Sequence, residues 1–271
     1  MRITVEAGKN GRRYWQDLWR YRELFYFLAW RDVVVRYKQT AIGLAWAVIR
    51  PLLTTIVFTL VFGQLGGLSS GDAPYALLVL AGMLPWQFFA TAFSESANSL
   101  ISDASIVSKV YFPRIVIPVS AVLSSVVDLL VSLVLLVLLM FWYAYLPSIR
   151  MLALPLFFVL AVLASIGAGL WLAALNVKYR DFRYVIPFIV QIGFYISPVG
   201  FASDLVPGNW RLLYSLNPMV GAIDGFRWAV LDNGYPLYVP GLLISMTVVA
   251  VVLISGVWYF RKAETAFADV I

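Results

Sequence analysis

The chain has 271 residues, 62% hydrophobic and only 13% charged, with 20 Lys and Arg against 14 Asp and Glu for a net charge of +6. Soluble domains average about 45–50% apolar and about 25% charged, so this composition fits lipid as its solvent. Cys and His are both absent, which excludes thiol nucleophiles, disulfides, histidine metal ligands and histidine proton switches. The basic surplus reads as topology-setting charge beside membrane spans, with no nucleic-acid partner expected.

Residues 1–43 form a polar segment with nine Lys and Arg and no apolar core of the kind a cleaved leader needs. Within it, residues 15–38 read as a helix. Projected at about 100° per residue, Trp15, Trp19, Tyr26, Trp30, Val33 and Tyr37 share one narrow face, with Arg13, Asp17, Arg20, Arg31 and Lys38 opposite. An aromatic face against a basic face suits a helix lying among lipid headgroups, with Arg22 snorkelling from the aromatic side. A soluble helix packed on a partner is the other reading.

Six runs then reach the length of about 20 residues that crosses a bilayer. They are 44–63, 75–97, 115–143, 152–175, 185–201 and 240–260. The third is long enough to tilt or project. The fifth is short and carries Pro187, Gly193, Pro198 and Gly200, so a bent or broken helix is expected. Between the fifth and sixth runs, Asn217-Pro218 is a good helix start, and a helix over 218–231 is expected to be re-entrant. The fold class is therefore an all-α membrane protein with six transmembrane helices, an N-terminal amphipathic interfacial helix and a re-entrant outer segment. Its two parts are residues 1–43 and a transmembrane domain over 44–271.

The connections divide by charge. Sixteen Lys and Arg fall on one side, in 1–43, at Lys109 and Arg114, at Lys178, Arg180 and Arg183, and at Arg261 and Lys262. Arg150, Arg211 and Arg227 fall on the other. Positive charge stays inside, so both termini are expected in the cytoplasm, as an even number of spans requires.

The chain has no phosphate-cradling G-x-x-x-x-G-K-[ST], no G-x-S-x-G and no H-E-x-x-H. Acids are few and scattered, so neither a metal nor covalent chemistry is expected of this chain alone. A secondary transporter would show inverted repeats, and none is visible. A membrane scaffold remains as a further reading.

Ordered motifs run along nearly the whole chain. Arg31-Asp32-Val33-Val34-Val35-Arg36-Tyr37-Lys38-Gln39-Thr40 leads to Gly43-Leu44-Ala45-Trp46 and Arg50-Pro51-Leu52. Ala81-Gly82-Met83-Leu84-Pro85-Trp86 falls in the second run, and Ile106-Val107-Ser108-Lys109-Val110-Tyr111-Phe112-Pro113-Arg114 precedes the third. Asn176-Val177-Lys178-Tyr179-Arg180-Asp181-Phe182, Ser197-Pro198-Val199 and Leu216-Asn217-Pro218-Met219 follow. This series resembles the polysaccharide and polyol-phosphate export permeases of the type-2 ABC transporter class, which serve O-antigen, capsule and teichoic acid export. Arg50 departs from the pattern, in which Gln is commoner before this Pro-Leu.

The resemblance implies a homodimer joined by two copies of a separate ATPase, which holds the ATP and Mg; no cofactor is expected in this chain. It implies a bacterial inner-membrane location and a glycan on a polyprenyl carrier as substrate, with a lipid or drug exporter of the same class as the nearest alternative. The implied pathway lies along spans one and five, at Trp46, Arg50, Phe58, Phe62, Phe188, Gln191 and Tyr195. Aromatic faces stack on sugar rings without demanding one hydroxyl pattern. The polar segment 98–113 reads as the element coupled to the ATPase, with Ser102, Asp103, Ser105 and Lys109 as its contacts. The outer gate falls at Asn217, Pro218, Phe226 and Trp228.

Two charges inside spans need partners. Arg50 lies roughly 9 Å into span one at 1.5 Å per residue; it is expected to pair with Glu95, with a carrier phosphate as the other candidate. Asp128 has no evident partner in the sequence and reads as a bonded structural group or as a proton site.

Overall fold

A computed structural model describes residues 11–38, 45–68, 73–109, 112–231 and 235–267, and the described residues form helices without a strand. Gln39, Thr40, Gly43, Leu44, Val110 and Tyr111 of the motifs, and the expected boundary at 43/44, lie outside them.

Five helical stretches are long and apolar enough to cross a membrane: Ala45–Leu65, Tyr75–Ser102, Val116–Trp142, Ile149–Lys178 and Val239–Ala263. The chain is a multi-pass membrane protein. The expected fifth run forms the shorter apolar helix α9, Phe182–Ile196, of 15 residues. It keeps Pro187 inside and stops before Ser197-Pro198, where the proline-containing turn takes over.

Helix α4, Tyr75–Ser102, is the axis of the bundle. In its most apolar stretch 83% of residues are buried, against 11% in Ala45–Leu65. It packs chiefly on α8, Leu154–Lys178, and α8 packs in turn on α12, Val239–Ala263. The first span is α3, Ala45–Phe58, continued by a wider π-helical segment over Thr59–Leu65; it lies at the edge of the bundle against α4 and α7. The long third run is broken at Ser125 into α6, Val116–Ser124, and α7, Val126–Trp142. Ser124 and Ser125 both return their hydroxyls to the Ala121 carbonyl, at 2.8 and 3.4 Å, the back-bonding that bends helices.

The N-terminal helix is divided at Tyr21 into α1, Gly11–Arg20, and α2, Arg22–Lys38. Leu28 is buried against Leu100, Val116 and Phe260, while Tyr14, Leu18 and Phe25 pack beside them. Trp15, Trp19, Tyr26 and Trp30 stay exposed, and the Arg22 guanidinium lies 5.5 Å from the Trp19 ring centre. The two described ends of the chain meet, because Tyr14 donates to Glu264 at 3.1 Å. Glu264 also accepts the Arg114 backbone N–H at 2.6 Å.

The spacing Gly63-x-x-x-Gly67 is a weak signal for close packing, and a tight helix crossing lies elsewhere. Gly63 faces the Tyr75 ring, and Gly67 stands in the left-handed region at φ 61° with open space around its missing side chain. The tight crossing is between α8 and α12 at Gly167 and Gly256. A Cβ on Gly167 would fall 2.8 Å from Leu253 Cα, and one on Gly256 would strike the Gly167 carbonyl. Small residues let helix backbones meet in lipid. Gly256→Val is therefore expected to force the pair apart at a cost at or above the usual overpacking range of about 1–3 kcal/mol. Size-exclusion profiles should show loss of the monodisperse peak, while Gly208→Ala, with nothing within 4 Å of its Cβ, keeps it.

Helix α11 follows the expected start closely, over Pro218–Val230. The Asn217 side chain accepts the Met219 N–H at 3.0 Å and caps it, and Pro218 takes the first position. Nearly the whole helix is buried against α4, α8 and α12, so it is core and not a surface helix.

Candidate functional site

Polar residues in an apolar bundle are costly, and one group of them lines a cavity of about 240 Å³ between α2, α3, α4 and α7. Helix α3 contributes Trp46 and Arg50, one turn apart on one face. Helix α4 contributes Gln87, Thr91 and Glu95, a polar stripe at successive spacings of four. Helix α7 contributes Asp128 and Ser132, and Ser125 lies at the α6–α7 break. Helix α2 supplies Arg36 and Tyr37 from its last turn.

Arg36 organises the wall of this cavity. Its guanidinium pairs with Glu95 and donates to Asp128 at 2.5 Å. Ser125 donates to the second Glu95 oxygen at 3.2 Å, and Tyr37 donates to the second Asp128 oxygen. Burial first, and the Asp128 charge beside it, push the Tyr37 phenol well above its ordinary value, so it remains a donor. One arginine thus bridges two carboxylates from two helices and ties α2 to both.

This arrangement corrects the expected Arg50–Glu95 pair. Glu95 takes its cation from α2, because α2 runs along α6 and lays its last turn over α4 and α7. Arg50 is exposed along the cavity and forms no ion pair with a described residue. Asp128 has the partners that the sequence did not reveal, and it is a bonded structural group within the bundle. Arg31, placed by periodicity on a basic face, instead turns to Asp103 at 2.8 Å and to its neighbour Asp32 at 2.7 Å.

The other pathway positions separate into two places. Trp46 and Arg50 line the cavity. Phe58 and Phe62 lie further along the first span, with ring centres 5.1 Å apart. Phe58 also meets Phe194 of α9 at 5.7 Å and fills the space that a side chain on Gly200 would need. Phe188, Gln191 and Tyr195 are exposed on α9, and none lines the cavity.

The expected coupling segment contains a short helix, α5, Ala104–Lys109. Val107 is buried and Ile106 packs on the same core, while Ser102, Ser105 and Lys109 face outward. Asp103 does not share that exposure, being held by Arg31. At the opposite end of the bundle, Asn217 donates to Ser197 at 2.9 Å and Phe226 is fully buried. Trp228 stacks edge-on against Phe157 at 6.2 Å, with Arg150 5.4 Å from its ring centre.

Sequence reasoning assigned Arg227 no partners, yet among the described residues it is the largest fully buried side chain. Its three nitrogens donate to the carbonyls of Leu78, Phe201 and Val199 at 3.1, 2.7 and 2.8 Å. Gly82 leaves the room, since a Cβ there would fall 2.6 Å from Arg227 Nη2. One turn away Asp224 accepts from Ser203 at 2.6 Å and Tyr235 at 3.1 Å. Arg227 therefore fastens α11 to the turn after α9 and to α4.

An apolar helical bundle with a polar cavity, and with the aromatic side of α1 and α2 exposed where the two described ends meet, fits the membrane part of a transporter. The chain belongs to the ABC-2 type transporter family, whose model matches residues 23–231. It is 28% identical over 248 residues to the O-antigen export system permease protein RfbA of Klebsiella pneumoniae, covering 89% of this chain and 92% of that one. It is 26% identical over 256 residues to the protein of that name from Myxococcus xanthus, covering 93% and 97%. The polysialic acid transport protein KpsM of Escherichia coli is 22% identical over 241 residues, covering 87% and 92%.

Proposed function

We propose that this chain is the permease subunit of an exporter that moves a lipid-linked polysaccharide, O-antigen-like, across the bacterial inner membrane from the cytoplasmic side. It works as a homodimer with two copies of a separate ATPase, which holds ATP and Mg; the permease itself holds no cofactor. Its N-terminal part, 1–43, lies at the cytoplasmic surface with the exposed Trp15, Trp19, Tyr26 and Trp30 toward lipid headgroups, and the transmembrane part follows over 44–271. Helix α9 is the sixth crossing. Its 15 residues span roughly 22 Å at 1.5 Å each, and the turn 197–200 extends it. Both termini are then cytoplasmic, in agreement with the basic residues on that side.

The observation that carries this reading is the exposed face shared by the first span and α9. Trp46, Phe62, Phe188 and Tyr195 are 40 to 70% exposed in the single chain, and Phe58 joins the two helices. A face of rings beside a polar cavity suits a second copy and a sliding glycan between them. The relatives named for O-antigen and polysialic acid export support the substrate class.

Deletion of the gene should abolish the host's surface polysaccharide and leave its precursor inside, and a tagged copy should restore export and copurify a stoichiometric ATPase. Unchanged surface glycan with accumulation of another lipid or drug would turn the reading to an exporter of that compound. A lone protein indifferent to ATP would overturn it.

Helix α5 is the coupling element in this reading, with Ser102, Ser105 and Lys109 facing the ATPase and Asp103 fixed to α2. Ser105→Pro disfavours helical geometry at Ala104, the first residue of the six-residue α5, and takes away the exposed Ser105 hydroxyl. Export should fall to background while membrane insertion and protein level stay unchanged, by surface-glycan blot and quantitative immunoblot. Normal export would remove α5 from the coupling role. The outer gate remains assigned to α11, at Asn217, Pro218, Phe226 and Trp228.

A further inference from the structure

The cavity between α2, α3, α4 and α7 has a lining that chooses between ligand chemistries. It holds two arginines, Arg36 and Arg50, and two carboxylates, Glu95 and Asp128. Three of these four are already bonded to one another. The formal charges cancel, so the cavity offers an anion or a cation no net attraction. Its polar groups and the cost of drying them disfavour an acyl chain.

What the lining does present is a set of groups awaiting neutral hydroxyls. The side-chain oxygen of Gln87 is buried with no hydrogen-bond partner among the described residues. Such an acceptor is costly to leave unmade. Thr91 lies one turn further along the same stripe. Arg50 offers donors and forms no ion pair among the described residues. The carboxylates of Glu95 and Asp128 keep acceptor capacity beyond the bonds they make. Trp46, one turn from Arg50, provides a flat apolar surface and is 47% exposed. A ring with an apolar face and a polar rim satisfies all of these at once.

We propose that this cavity is a saccharide-binding subsite for one neutral sugar unit. The ring lies against Trp46, its hydroxyls donate to Gln87 Oε1 and the carboxylates, and Arg50 donates to a hydroxyl or ring oxygen. The proposal rests on the polysaccharide reading above and deepens it, because it places the first recognition of the glycan among α2, α3, α4 and α7, before the ring-lined face of α3 and α9. Arg36 is a positioning residue here, holding the two carboxylates at fixed places in the wall.

The test uses the full-length permease purified in detergent and a panel of methyl glycosides of glucose, galactose, mannose, rhamnose and N-acetylglucosamine, with inorganic phosphate and glucose 1-phosphate beside them. Saturation-transfer NMR should detect saturable binding of at least one neutral glycoside. Trp46→Ala and Gln87→Leu should each weaken it by about tenfold, the size of effect that about 1.4 kcal/mol represents. Trp142→Ala, at an exposed ring remote from the cavity lining, should leave it unchanged. Size-exclusion profiles check that every variant is folded, and Trp46→Phe, which keeps an aromatic face, should restore part of the binding. Binding that survives both Trp46→Ala and Gln87→Leu overturns the proposal, as does no binding of any neutral glycoside by folded permease. Binding confined to phosphate and glucose 1-phosphate, lost in Arg50→Gln and kept in Trp46→Ala, overturns it in favour of an anion site. None of these outcomes touches the export reading, which stands or falls on the surface glycan of the deletion strain.

Discussion

Replacing Arg227 with Met is expected to cost on the order of 5 kcal/mol of stability. The side chain is fully buried, and its loss leaves the carbonyls of Leu78, Val199 and Phe201 without their donors. Each buried group left unmade costs about 1–3 kcal/mol. The same change takes the nearby positive charge from Asp224, which is also buried. The combined loss is on the order of 5 kcal/mol, comparable to the whole margin by which many proteins stay folded. Arg227→Lys, with a point charge in place of a fork, should lie between the two. Gly82→Ala should mimic the defect by pressing a methyl group on Nη2. Scanning fluorimetry of detergent-purified protein reads all three; a melting temperature for Arg227→Met within two or so degrees of the parent would show that the carbonyls find other donors.

The second large effect falls at Arg36. Its removal leaves Glu95 and Asp128 facing each other without a cation. Breaking a fully buried pair costs about 3–5 kcal/mol. Water reaches a quarter to a third of these side chains, so Arg36→Gln should fall at the low end, about 3 kcal/mol. Neutralising one acid removes the repulsion, so Arg36→Gln with Glu95→Gln should recover much of the loss. Arg50→Gln should not respond to Glu95→Gln, since the two residues are not paired. A double-mutant cycle on melting temperature decides it: coupling at Arg50 and none at Arg36 would restore the pairing that the sequence suggests.

That reversal shows where legibility ended. Five of the six expected spans, the break of the fifth run, and the start of α11 at Asn217-Pro218 followed from apolar run length, Pro and Gly positions, and capping chemistry, all local properties. So did the exposed aromatic side of Trp15, Trp19, Tyr26 and Trp30. The partner of Glu95 did not, because it depends on how α2 lies across the bundle, and Arg36 and Arg50 are equally good cations on paper. The stripe Gln87-Thr91-Glu95, three polar residues at spacings of four in an apolar helix, went unread in the sequence, although that spacing marks one side of α4 as polar. Arg227 left no comparable trace: its acceptors are main-chain carbonyls, which every sequence has. The Gly167–Gly256 crossing was hidden for a similar reason, as the two glycines lie on different helices with no motif joining them.

The burial of α11 has a consequence for how the chain is made. Its 13 residues extend about 20 Å and carry Asp224 and Arg227, too short and too charged to be released sideways into lipid as a crossing of their own. Its place in the bundle depends on the helices that surround it, α4, α8 and α12. Ser245, which accepts the Gly221 N–H at 3.2 Å and donates to the Ser215 carbonyl at 2.9 Å, belongs to α12, which follows α11 in the chain. Helix α11 therefore completes its docking only after α12 has been made. A chain arrested before that step would carry a loose charged helix, with Asp224 and Arg227 lacking the partners that they find only when α11 is docked.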